Sequence, residues 1–303
     1  MTSPHASDAA PFGRVLTAMV TPFTSDGQVD LKAAQHVATR LVDQGNDGLV
    51  VSGTTGESPT TTGEEDARLL SAVLEAVGDR ATVVAGVGTN DTRHSVELAQ
   101  SARKAGAHGL LIVTPYYNKP PQAGIVLHVN QVAQAGEDVP VMLYDIPGRT
   151  GLQIAESTYA ELVKNPLVLA MKDAVGDLER GAFLMQETGL KIYSGDDAMN
   201  FGWLALGASG VVSVVSHVAG DAYAEMVRAV DAGDLTTARA VNTRLLPLVR
   251  AIMTHTQGVI AVKAALQLLG VIEHRTVRAP LPEATEAEVA LVRDALVATG
   301  YLS

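Results

Sequence analysis

Lys172 ends an apolar run, Pro166-Leu-Val-Leu-Ala-Met-Lys172-Asp173, that reads as a buried strand. Burial penalises an ammonium group and lowers its pKa, so an amine placed there is a free nucleophile near neutral pH. Such an amine captures a carbonyl compound as a Schiff base. The plain alternative is a strand-end lysine that reaches water or pairs with Asp173. Other chemistry-bearing residues gather in short loops. Ser52-Gly53-Thr54-Thr55-Gly56-Glu57-Ser58 offers backbone N–H groups and hydroxyls to a carboxylate; the same composition also suits a turn before a helix. Thr114-Pro115-Tyr116-Tyr117-Asn118-Lys119-Pro120-Pro121 sets two of the chain's seven tyrosines side by side, for chemistry or for an interface. Tyr144-Asp145-Ile146-Pro147-Gly148-Arg149-Thr150 supplies a phenol for acid/base work and a guanidinium for a carboxylate, or else a structural turn with a surface arginine. Gly195-Asp196-Asp197 reads first as a helix N-cap, and Ser213 closes the last apolar run.

These loops share a position: each follows a short apolar run. The strand candidates are Val15–Val20, Gly48–Val51, Thr82–Ala85, Leu110–Thr114, Val141–Tyr144, Val168–Met171, Lys191–Tyr193 and Val211–Val214. Between them apolar residues recur at spacings of three and four, as in Asp30–Val42, Glu64–Val77 and Ser95–Ala105. Gly45, Gly78 and Gly106 stand where helix-ending glycines belong. Eight strand–helix units predict a closed (β/α)8 TIM barrel, with an open doubly wound sheet as the alternative. In such a barrel chemistry sits at the C-terminal ends of the strands, where the polar loops fall. After the eighth strand the pattern is helical only, with helices over about 221–231, 234–254, 257–270 and 284–299. The expected organisation is a disordered tail over 1–12, a barrel over 13–233 and a C-terminal helical appendage over 234–303.

Composition narrows the function. The 303-residue chain is 47% hydrophobic and 18% charged, as expected of a soluble globular protein. It contains no cysteine, which excludes disulfides, thiolate nucleophiles and cysteine-bound metals. A net charge of −11 argues against a nucleic-acid partner. No run of apolar residues is long enough for a membrane span, and the first residues do not form a secretory signal; a cytoplasmic location follows. Metal-protease, serine-hydrolase, P-loop and dinucleotide motifs are missing, and the eight histidines show no metal-ligand spacing.

Together, the Gly-Thr-Thr-Gly-Glu loop, the strand-six lysine, the Tyr-Tyr loop and Tyr144-x-x-Pro147-x-Arg149 resemble the dihydrodipicolinate synthase (4-hydroxy-tetrahydrodipicolinate synthase) family. The likeness runs from about Gly13 to the C-terminus, and the look of the whole chain is close to actinobacterial members. The first two motifs are shared by the pyruvate-dependent class I aldolases, N-acetylneuraminate lyase among them; the tyrosine and arginine motifs are more specific to the synthase. The resemblance implies that Lys172 forms an imine with pyruvate and that Thr54 and Thr55 bind its carboxylate. Val212 and Gly195 would line the pocket. Tyr144, Thr55 and Tyr117 would form a proton relay, Tyr117 reaching in from a neighbouring subunit of a homotetramer. Arg149 would hold the carboxylate of L-aspartate 4-semialdehyde. The implied reaction opens lysine and diaminopimelate biosynthesis and needs neither metal nor organic cofactor. Ser58, Asn90 and Tyr116 match the family's lysine-inhibition site, but Gly63, Asp66 and His94 replace the usual His, His and Glu, which implies weak or absent feedback. The rival readings are an aldolase for a sugar acid or 4-hydroxy-2-oxoglutarate, and a non-catalytic ligand sensor on the same fold.

Overall fold

The computed structural model describes residues 7–303. Eight parallel strands close into a barrel in sequence order: β1 Val15–Ala18, β2 Gly48–Val51, β3 Thr82–Gly86, β4 Gly109–Val113, β5 Val141–Asp145, β6 Val168–Asp173, β7 Lys191–Ser194 and β8 Gly210–Ser213. Around and after them run α1 Leu31–Asp43, α2 Gly63–Val77, α3 Thr92–Ala105, α4 Gln122–Ala135, α5 Pro147–Thr150, α6 Glu156–Leu162, α7 Leu178–Thr188, α8 Asn200–Ala205, α9 Ser216–Asp231, α10 Leu235–Met253, α11 Gly258–Leu268 and α12 Glu286–Ala298. The (β/α)8 expectation is met, strand by strand.

The differences from the sequence reading have local causes. β1 stops at Ala18 rather than Val20 because the Val20 N–H donates to the buried His217 imidazole, at 3.0 Å, instead of to the sheet. Helix α9 starts at Ser216, five residues before its periodicity shows, because Ala219 (φ −117, ψ 37) interrupts the helical pattern. Gly45 and Gly106 take the left-handed conformation expected of helix-ending glycines, but Gly78 caps α2 at φ −65 with ordinary helical geometry. The N-terminal tail expected over 1–12 falls in part on residues that the structure does not describe. Residues 1–6 lie outside the described residues, while Ala10 and Phe12 are buried. Phe12 closes the N-terminal end of the barrel interior, edge-on to Tyr193 at 6.2 Å between ring centroids.

Side chains alternate between the two faces of each strand. One set fills the barrel interior: Leu16, Val50, Val84, Leu111, Met142, Ala170, Tyr193 and Val212, with Tyr144. The other set packs against the helices in a core that continues without a break into α10, α11 and α12. The appendage therefore rests on the barrel's own outer core. Among the described residues no single helix is long and apolar enough to cross a membrane.

Candidate active site

The two-residue period of the strands decides which polar groups point inward. On β5, Met142 faces the interior, so Tyr144 does too. On β6, Ala170 faces the interior, which turns Lys172 inward and Asp173 out. Tyr144 and Lys172 are directly paired in register, so their side chains stand beside each other across adjacent strands. The Lys172 Nζ lies 4.3 Å from the Tyr144 ring centroid.

Lys172 is only 5% exposed, and among the described residues it takes part in no ion pair with an acidic group. The alternative of a salt bridge to Asp173 fails because Asp173 turns outward and accepts the N–H groups of Val175 (3.2 Å) and Gly176 (2.9 Å). Burial pulls the Lys172 amine down to about 8; the Asp197 carboxylate opposes that shift and the Arg149 guanidinium adds to it. At pH 7 about a tenth of the amine is then neutral. Burial raises the Tyr144 phenol to about 12, against the pull of Arg149 and of the Thr54 hydroxyl. The phenol is therefore protonated and can donate.

The loop after β2 is held in an unusual shape. Ser52 (φ 52) and Glu57 (φ 59) both sit in the left-handed region, which costs about 1–3 kcal/mol each for residues with a Cβ. Between them Thr54 lines the site and Thr55 is buried. Of the two threonines it is the Thr54 hydroxyl that pulls on the Tyr144 phenol; Thr55 is the one that the resemblance puts in the relay. Tyr117 is 89% exposed at the rim. It sits at φ 69 in a tight turn closed by Asn118 N–H to the Tyr116 carbonyl at 2.8 Å. Within one chain Tyr117 thus stays solvent-exposed at the rim of the cavity that Tyr144 also lines. Arg149, on α5, stands exposed at the mouth, its Nη2 donating to Gln257 Oε1 at 2.9 Å.

Gly195 earns its place by close approach. A Cβ there would lie 2.8 Å from both Cγ and Cε of Lys172 and 2.8 Å from the Asp173 carbonyl oxygen, so only glycine leaves room for the lysine stem. Val212, on β8, belongs to the same inner layer as Tyr144. The turn that follows it is fixed by Asp197, whose carboxylate accepts Val214 N–H (2.9 Å), Val215 N–H (3.1 Å), the Tyr223 hydroxyl (3.0 Å) and the Ser213 hydroxyl. The helix-capping role read for the Asp pair does not hold: the residue before α8 is Met199, without a side-chain cap. An acidic residue three positions beyond a strand end, second of an Asp-Asp pair, gives no sequence signal of such a hub.

A cavity of about 690 Å³ opens at this end of the barrel, lined by Ser52, Thr54, Tyr116, Tyr117, Tyr144 and Arg149 among others. That is the size of a small-molecule site. A larger groove of about 1190 Å³ lies at the opposite end, near Arg103, Pro166 and Leu190, and holds none of these groups. A closed barrel with an unpaired buried amine against a protonated phenol, at the C-terminal ends of its strands, defines an enzyme of the class I aldolase type. The chain belongs to the dihydrodipicolinate synthetase family, which it matches over residues 11–299. It is 60% identical to the 4-hydroxy-tetrahydrodipicolinate synthase of Kineococcus radiotolerans, over 99% of this chain and 97% of that one. It is 58% identical to the enzyme of the same name from Acidothermus cellulolyticus, over 96% and 94%. The crystal structure of the Cyanidioschyzon merolae family member with lysine bound superposes with a TM-score of 0.92 at 41% identity, covering 96% of this chain and 99% of that one.

Proposed function

We propose that the protein is a lyase that condenses pyruvate with L-aspartate 4-semialdehyde through a Schiff base on Lys172, at the entry to lysine and diaminopimelate biosynthesis in the cytoplasm. The observation that carries this reading is the unpaired, buried Lys172 amine 4.3 Å from the Tyr144 ring, within a family whose similar members bear the synthase name. The neutral amine attacks the keto carbon of pyruvate, and water leaves to give the imine. The iminium accepts electrons from the methyl C–H bond, a proton departs and an enamine forms. The enamine carbon attacks the aldehyde. The amino group of the bound product then adds to the imine carbon, closes the ring and expels the Lys172 amine.

Proton traffic falls to the Tyr144 phenol with Thr54 beside it; such transfer is worth about 10²–10⁴-fold. The donors of the Thr54–Thr55 loop hold the pyruvate carboxylate, with Gly195 and Val212 as the walls. Arg149 takes the carboxylate of the second substrate. Tyr117, exposed and held in a strained turn, completes the relay of a partner subunit in a homotetramer built as a dimer of dimers. Feedback by lysine is weak or absent: Asp66 Oδ1 is already engaged by the hydroxyls of Ser52 and Thr61, both at 2.8 Å. The test is a coupled assay with both substrates on the wild type and Lys172→Ala. Turnover by the wild type that the variant lacks supports the reading, and preference for another acceptor aldehyde overturns the assigned second substrate.

A further inference from the structure

We propose that the buried Glu57–Lys263 ion pair is a positioning device, through which the C-terminal appendage sets the pyruvate-binding loop and hence the affinity for pyruvate. This inference rests on the reading of Thr54 and Thr55 as the carboxylate-binding residues. Lys263 stands in α11, 206 residues from Glu57. It is 0% exposed, and Glu57 is 2% exposed. Its Nζ donates to Glu57 Oε1 at 2.5 Å and to the Thr276 carbonyl at 2.8 Å, and it lies 4.2 Å from the centroid of the Phe23 ring. The other carboxylate oxygen, Glu57 Oε2, accepts the Arg278 N–H at 2.9 Å. Both oxygens are thus held by segments that follow the barrel.

Glu57 is also the last residue of the pyruvate loop. Its own N–H donates to the Thr54 carbonyl at 3.1 Å, and the next N–H, of Ser58, to the Gly53 carbonyl at 3.2 Å. Moving the Glu57 carboxylate therefore moves the residues that hold Thr54 and Thr55. The left-handed conformation of Glu57 persists only where its surroundings over-determine it, and the carboxylate's partners supply that constraint. A buried ion pair is a poor source of stability, because apolar side chains of similar volume serve as well or better. What it adds is one defined arrangement of the groups it joins. The Arg278 guanidinium reinforces the attachment by a two-pronged bond to Glu65, at 2.6 and 2.8 Å, in the first turn of α2.

The experiment compares wild type, Lys263→Met, Glu57→Gln and the double variant. For each, kcat and the KM of both substrates are measured, together with the pyruvate dependence of borohydride trapping at Lys172. Lys263→Met is expected to raise the pyruvate KM about tenfold, with the aldehyde KM nearly unchanged, and the double variant to lose less than the two single changes combined. Glu57→Gln, nearly isosteric and still able to accept the Arg278 N–H, is expected to shift pyruvate affinity in the same direction by a smaller factor. It decides the matter where Lys263→Met does not fold. Variants that lose kcat or thermal stability while keeping the wild-type pyruvate dependence overturn the positioning role and leave the functional reading intact. A wild type that pyruvate does not label at Lys172 overturns both.

Discussion

The molecule buries two lysines in similar surroundings and treats them oppositely. Both Lys172 and Lys263 stand in apolar elements, each lies against an aromatic ring, at 4.3 and 4.2 Å from its centroid, and burial lowers each amine to about 8. The difference is the partner. Lys263 donates to a carboxylate and a carbonyl, whereas Lys172 has no carboxylate partner among the described residues and stands beside a phenol that lines the cavity. Burial alone therefore does not mark a nucleophile. An amine that is buried, left without a counter-ion and placed beside a cavity is the one available for chemistry.

The contrast breaks most sharply under substitution. Lys172→Ala is expected to cut turnover by about 10³-fold or more, since no other group replaces a covalent nucleophile. Residual turnover above a tenth of wild type in a steady-state assay would return Lys172 to the structural class. Lys263→Ala strands the buried Glu57 carboxylate and is expected to destabilise the fold by about 3–5 kcal/mol. Lys172→Met removes an unpaired buried charge and leaves stability equal or higher. Urea unfolding of the two variants measures this, and equal destabilisation would erase the distinction.

A buried base whose bonds are all satisfied should resist protonation, and His217 sharpens the comparison in that direction. Its Nε2 accepts the Val20 N–H and its Nδ1 faces the Val214 carbonyl at 2.7 Å. Burial lowers it from 6.5 to about 4, partly offset by that carbonyl. Its folded pKa lies below the unfolded one. The associated stability is thus intact above pH 6.5 and declines as the pH falls towards 4, by about 3 kcal/mol in all. The gap in urea midpoint between the wild type and His217→Gln isolates this term, and a gap that stays constant from pH 6.5 to 4 contradicts it. Tyr144→Phe is expected to lower kcat about 10²-fold without abolishing imine formation, because it removes a proton carrier and keeps the ring beside Lys172; loss of trapping as well would give the phenol a part in the first step. The last effect is on the pH profile. Below about pH 8 the rate of imine formation should rise about tenfold per unit as the Lys172 amine loses its proton, then level off. A rate flat from pH 6 to 9 would mean that proton loss from Lys172 does not limit capture.

Much of this was legible in the chain. The apolar runs gave all eight strands to within two residues at either end, because a parallel barrel strand is buried on both faces and shows as an uninterrupted apolar stretch. Lys172 stood out for the same reason, as a charge inside such a stretch. Lys263 sits in a comparable one, Val259-Ile-Ala-Val-Lys263-Ala-Ala-Leu266, and was as visible; what the sequence lacks is the 206-residue connection to Glu57. The hub at Asp197 and the choice of Thr54 over Thr55 at the Tyr144 phenol depend on how separate loops meet in space, which no local pattern carries.

The most direct measurement is borohydride reduction of the protein in the presence of pyruvate, followed by peptide mass spectrometry. The account predicts one reduced pyruvate adduct, on Lys172, and an unmodified Lys263. An adduct on any other lysine, or no pyruvate-dependent adduct, contradicts it.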